Sequence, residues 1–137
     1  LRGVVIENRD ALQVMRAHDG ATTLHYVDPP YLHSLRANGN PYDLKHFYRH
    51  ELSDHQHVEL LAGLRDLTGM VVLSGYASRL YDDCLPEWRR IETKAYADGA
   101  RERTEVLWLN PACADALDER ARGKGAPLFQ FLEAANG

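Results

Sequence analysis

Asp28-Pro29-Pro30-Tyr31 is the stretch of this chain whose residue types and spacing suit chemistry. It follows Leu24-His25-Tyr26-Val27, an apolar run that reads as a short, largely buried strand. Neither proline can extend that strand, because each lacks an N–H and has φ fixed at about −65°. Pro30 also pushes Pro29 towards an extended conformation. The product is a stiff turn at a strand's carboxyl end, the edge where ligands bind in open α/β sheets. Asp28 and the carbonyls beside it face outward there as acceptors, and Tyr31 offers a π-face. Acceptors beside a flat ring suit a planar, amino-bearing guest, which is to say a nucleobase.

Such a turn needs a sheet to hold it, and the flanking sequence supplies one. Gly3 to Ile6 reads as a short strand. Asp10 then sits at a helix N-cap with Gln13 three residues on, in a capping-box arrangement. Leu12, Val14, Met15 and Ala17 follow, and His18-Asp19-Gly20 closes the helix. Ser53 and Gln56 form a second capping box. The helix from Asp54 to Leu67 carries Val58, Leu60, Leu61, Leu64 and Leu67 on one face, and Gly69 ends it.

Met70 to Leu73 has the apolar content of a central parallel strand running into Ser74-Gly75-Tyr76. Parallel to the strand before Asp28, it ends on the same edge of the sheet. Tyr76 then either walls a base pocket or is only a turn aromatic. Ser78 to Leu85 is a short helix stopped before Pro86. Trp88 to Ala97 and Thr104 to Asn110 form an antiparallel hairpin about Asp98-Gly99. Arg101 and Arg103 on its loop either meet phosphates or are solvated. From Ala112 the segment Asp115 to Arg122 is weakly helical, Gly123 to Gly125 breaks it, and Pro127 to Ala135 forms a short final helix. Alternating strands and helices with a terminal antiparallel hairpin specify the α/β class.

Leu32 to Leu52 is a long polar loop with Tyr42, Phe47 and Tyr48 interleaved with Lys45, His46, Arg49 and His50. Aromatic and basic residues beside a base pocket suit nucleic acid, and a solvated surface loop is the alternative. His46, His50, His55 and His57 straddle the loop and a helix start with no cysteine beside them, so they are read as solvated rather than as metal ligands.

The tetrapeptide Asp28-Pro29-Pro30-Tyr31 resembles the catalytic signature of the DNA adenine-N6 methyltransferases. Ile6 to Leu12, Val71 to Tyr76 and Arg103 to Asn110 look like later motifs of that family in the family's order, so the resemblance covers roughly residues 3 to 111. It implies a partial Rossmann-like methyltransferase sheet, with residues 1–111 the carboxyl-terminal part of a catalytic domain and 112–137 a weakly structured or short-helical tail. It implies S-adenosylmethionine as cofactor, with Asp10 and Ala11 at its adenine ring and Asp28 and Pro29 beside it. A carboxylate at Asp10 can cap the helix and serve the cofactor together.

Asp28, Pro29, Pro30 and Tyr31 become the catalytic set, and Tyr31, Tyr76, Arg101 and Arg103 the substrate contacts. The adenine amine is a poor nucleophile, because its lone pair is delocalised into the ring. Asp28 and the Pro29 carbonyl would each accept one of its N–H bonds and turn the lone pair towards the methyl group, with no metal required. A stacked base is out of reach, so the partner is double-stranded DNA with its adenine flipped onto Tyr31. Related signatures serve RNA and protein amines. A non-catalytic remnant that keeps the fold is the rival from another class.

Composition sets outer limits on this reading. Hydrophobic residues make up 45% of the chain and charged residues 26%, the balance of one soluble domain. No apolar run approaches a membrane span and no signal peptide is visible. Cys84 and Cys113, with no metal-type spacing, fit free thiols in a reducing cytoplasm of bacterial or phage type. A net charge of −4 argues against a stand-alone duplex binder. The family's Phe-x-Gly-x-Gly cofactor loop and recognition domain have no counterpart here, and the one Gly-x-Gly, Gly123-Lys124-Gly125, does not follow a strand. The chain therefore reads as a piece of something longer, a poor cofactor binder and inactive alone. Its expected protein partners are the missing amino-terminal half or a cognate restriction endonuclease.

Overall fold

The computed structural model describes residues 3–30, 52–97 and 101–123, the side chains of 95–97 and 101–103 excepted. Within them lie α1 (Ala11–Ala17), β1 (Leu24–Val27), α2 (Asp54–Arg65), β2 (Met70–Tyr76), α3 (Arg79–Cys84), β3 (Arg89–Ala97), β4 (Arg101–Leu109) and α4 (Pro111–Gly123). The strands make one mixed sheet in the order β1-β2-β4-β3, which is an α/β arrangement. β1 and β2 are parallel, with Val27 opposite Leu73. β4 returns antiparallel and inserts between β2 and β3. Among the described residues no helix is long and apolar enough to cross a membrane.

Register sorts the side chains into two faces. His25, Val71, Leu73, Val106 and Trp108 share one, and all are buried. Leu60, Leu61 and Leu64 of α2, together with Leu67, Tyr81, Leu85 and Trp88, close over it as the core. A fully buried leucine of this kind contributes about 1.5–3 kcal/mol. On the opposite face α4 packs against β2 and β4, burying Cys113 and Ala114, and Asp118 receives both arms of the Arg89 guanidinium at 2.9 and 2.6 Å.

The caps form as their residue types dictate. Asp10 Oδ1 accepts the Gln13 N–H at 2.9 Å. Ser53 and Gln56 complete both halves of their box. Asn110 caps α4 ahead of Pro111, accepting the Cys113 N–H at 3.0 Å, and the same Oδ1 accepts the Val71 N–H at 2.9 Å.

Several expectations are corrected. Residues 4–6 form no strand, and Val4, Val5 and Ile6 stand 54%, 83% and 86% exposed, because no described strand pairs with them. β1 is not largely buried: it lies at the sheet's edge, with Leu24 58% and Tyr26 66% exposed. Leu60, Leu61, Leu64 and Leu67 are buried as expected, but Val58 is 38% exposed and His57 is wholly buried rather than solvated. His57 belongs there because its Nδ1 meets the Tyr81 hydroxyl at 2.8 Å inside the core.

Gly69 does not end α2, which stops at Arg65. Its missing Cβ makes room for the carbonyls of Gly20 and Thr23, each 2.8 Å from where that carbon would sit. Tyr76 is not a turn residue but the last residue of β2.

Candidate functional site

The site is built where β1 ends alongside β2, which runs on from Leu73 to Tyr76. Ser74 follows Leu73, the partner of Val27, so it stands beside Asp28 at the carboxyl edge. Its hydroxyl lies 2.8 Å from Asp28 Oδ1 and 3.3 Å from the Val27 carbonyl oxygen. Asp28 and Pro30 are exposed and Pro29 is half-buried, so the carboxylate stays open to a guest. Pro29 and Pro30 keep the backbone beyond it extended.

Tyr76 lies two residues past Ser74 and so on the same face, opposite Leu73. Tyr26 shares that face as well, being in register with Val72. The edge thus gathers a carboxylate, a hydroxyl and aromatic rings on one side of the sheet.

The opposite ends of the two strands are locked by a different carboxylate. Asp19 Oδ2 accepts the Thr68 N–H at 2.7 Å, Oδ1 accepts the Gly69 N–H at 2.9 Å, and His25 Nε2 lies 3.2 Å away. These bonds, the one from Thr68 foremost, hold the Asp19 carboxyl down at about 2. Asp19 fixes where β1 starts against β2, and therefore where Asp28 finishes.

Asp10 lies at the start of α1, whose other end leads through His18 and Asp19 to the start of β1. Leu12 secures α1 against Gly63 of α2, where even an added Cβ would come within 2.5 Å of a leucine methyl. Glu7 receives His18 at 2.7 Å and Arg9 at 3.1 Å, and the bond from His18 above all draws its carboxyl below the ordinary range. Asp10 is exposed, and while one oxygen caps the helix the other can accept from a ligand.

A cleft of about 530 Å³ lies at the far end of β2, lined by Arg65, Glu87, Trp88 and Asn110, and it is separate from this edge.

Of the residues singled out from the sequence, Asp28, Pro29, Pro30 and Tyr76 come together at one edge. Tyr31, the Leu32–Glu51 stretch, the expected final helix at Pro127 to Ala135, and the side chains of Arg101 and Arg103 lie outside the described residues. The two arginines are not on the hairpin loop, because β4 begins at Arg101 and pairs Arg101 with Ala97 and Arg103 with Ala95. Among the described residues no group of three His, Cys, Asp or Glu side chains is placed to hold a metal ion.

Ser74 and Tyr26 were not singled out. The available signal for Ser74 was a lone hydroxyl at the end of an apolar run, one position past the turn's register partner. No family model matches the chain, and no curated protein matches it.

Proposed function

We propose that this chain is the carboxyl-terminal part of a Rossmann-like methyltransferase sheet, and that it serves S-adenosylmethionine-dependent methyl transfer to the N6 amine of adenine in DNA. The observation that carries the reading is an exposed carboxylate, Asp28, at the ends of parallel strands, with one oxygen held by Ser74 and a double-proline turn behind it. That arrangement leaves a second carboxylate oxygen and the Pro29 carbonyl as adjacent acceptors for the two N–H bonds of an exocyclic amine.

Holding both N–H bonds sets the nitrogen lone pair in one direction, which is catalysis by orientation. The carboxylate also stabilises positive charge that develops on the nitrogen as it is alkylated. The cofactor supplies the electrophilic methyl carbon, and Asp10 and Ala11 would receive its adenosine end. Tyr31 and Tyr76 are the rings for the flipped base.

The exposed edge of β1, with Tyr26 and Leu24 in the open, favours a protein that works together with further methyltransferase sheet, as its own amino-terminal half or as a partner. Methylation-sensitive sequencing of DNA exposed to the complete protein tests the reading. N6-methyladenine at a defined sequence supports it, and unmodified DNA with cofactor present contradicts it.

A further inference from the structure

We propose that Ser74 is a positioning residue, fixing the rotamer of Asp28 so that Oδ2, and not Oδ1, receives the guest's N–H. The importance of this for catalysis rests on the reading of Asp28 given above. The grip itself rests on geometry alone.

A serine hydroxyl has one proton to donate. Two acceptors stand within reach of Ser74, and the carboxylate oxygen is the nearer, at 2.8 Å against 3.3 Å for the Val27 carbonyl. A bond to a charged acceptor is also about twice as strong as one between neutral groups. The proton therefore goes to Asp28. Without it, an exposed aspartate has a broad terminal torsion and exchanges rotamers on the ps–ns timescale.

The strand ladder places the Ser74 hydroxyl, since Ser74 is paired on its other side with Leu107 of β4. Pro29 restricts the backbone of Asp28 at the same time. Backbone and side chain of the carboxylate are thus fixed from two directions, and the two oxygens are no longer equivalent.

Ser74→Thr and Ser74→Val are the informative pair, because they share a shape that suits a strand and differ in the hydroxyl. Asp28 χ1, read from NMR scalar couplings in the complete protein, is expected to stay a single rotamer in wild type and Ser74→Thr. In Ser74→Val and Ser74→Ala it is expected to average over rotamers. In methylation assays the hydroxyl-free variants should lose roughly 10- to 100-fold in kcat, the scale of a misplaced reacting group. KM should be nearly unchanged, and Ser74→Thr should recover most of the rate.

An unaveraged Asp28 in Ser74→Val, or wild-type kcat in that variant, overturns the proposal. A protein that never methylates adenine, yet loses the Asp28 rotamer with the hydroxyl, sinks the proposed function and leaves the grip of Ser74 standing.

Discussion

Asp19 accepts the Gly69 N–H at 2.9 Å across fifty residues of chain, and this bond joins the start of β1 to the start of β2. Its carboxyl is held at about 2, below the ordinary 3.8, chiefly by the Thr68 N–H and then by Gly69 and His25. The folded chain keeps this group charged at acidities where the unfolded chain protonates it. Its contribution to stability is therefore complete above pH 3.8 and fades as pH falls towards 2. Thermal melts of wild type and Asp19→Ala should differ most near about pH 7, and the gap should narrow as pH falls towards about 2. A gap that does not change with pH would contradict this role.

Asn110 gives the sharpest stability prediction. Its side chain accepts from Val71 and Cys113 and donates to the Gly69 carbonyl at 2.9 Å, all of it buried. Asn110→Ala strands these backbone groups and should cost on the order of 3 kcal/mol or more, at about 1–3 kcal/mol per buried group left unpaired. Urea unfolding measures it. Asn110→Asp, which keeps the accepting oxygen, should recover part of the loss.

Tyr81 packs edge-on against Trp108 with ring centroids 5.0 Å apart, and its hydroxyl meets His57. Burial pushes its phenol well above the ordinary range, so it stays protonated throughout the physiological range. Tyr81→Phe keeps the ring packing and removes the hydroxyl, and should destabilise by about 1–2 kcal/mol in denaturant titrations. Unchanged stability would mean that the His57 contact contributes nothing net.

Much of this fold could be read from local chemistry. Asp10 with Gln13 and Ser53 with Gln56 marked their helix starts because capping is settled within three residues. The hairpin strands and β2 announced themselves by composition. What depends on distant partners could not be read. Val4-Val5-Ile6 has strand residues, yet a strand exists only where another lies beside it. His57 displaced Val58 from the core face because Tyr81, far along the chain, offers its ring a hydroxyl.

The same holds at the site. Asp28 stood out by its prolines, whereas Ser74 acquires meaning only through the register that pairs Val27 with Leu73.

The most direct test of the central claim is methyl transfer to adenine in duplex DNA by the complete protein, wild type against Asp28→Ala, with DNA affinity measured on the same samples. The account predicts that Asp28→Ala loses at least about 100-fold in kcat, as when a preorganised charge-stabilising group is removed, and binds DNA nearly as wild type does. Equal methylation by the two proteins would contradict it.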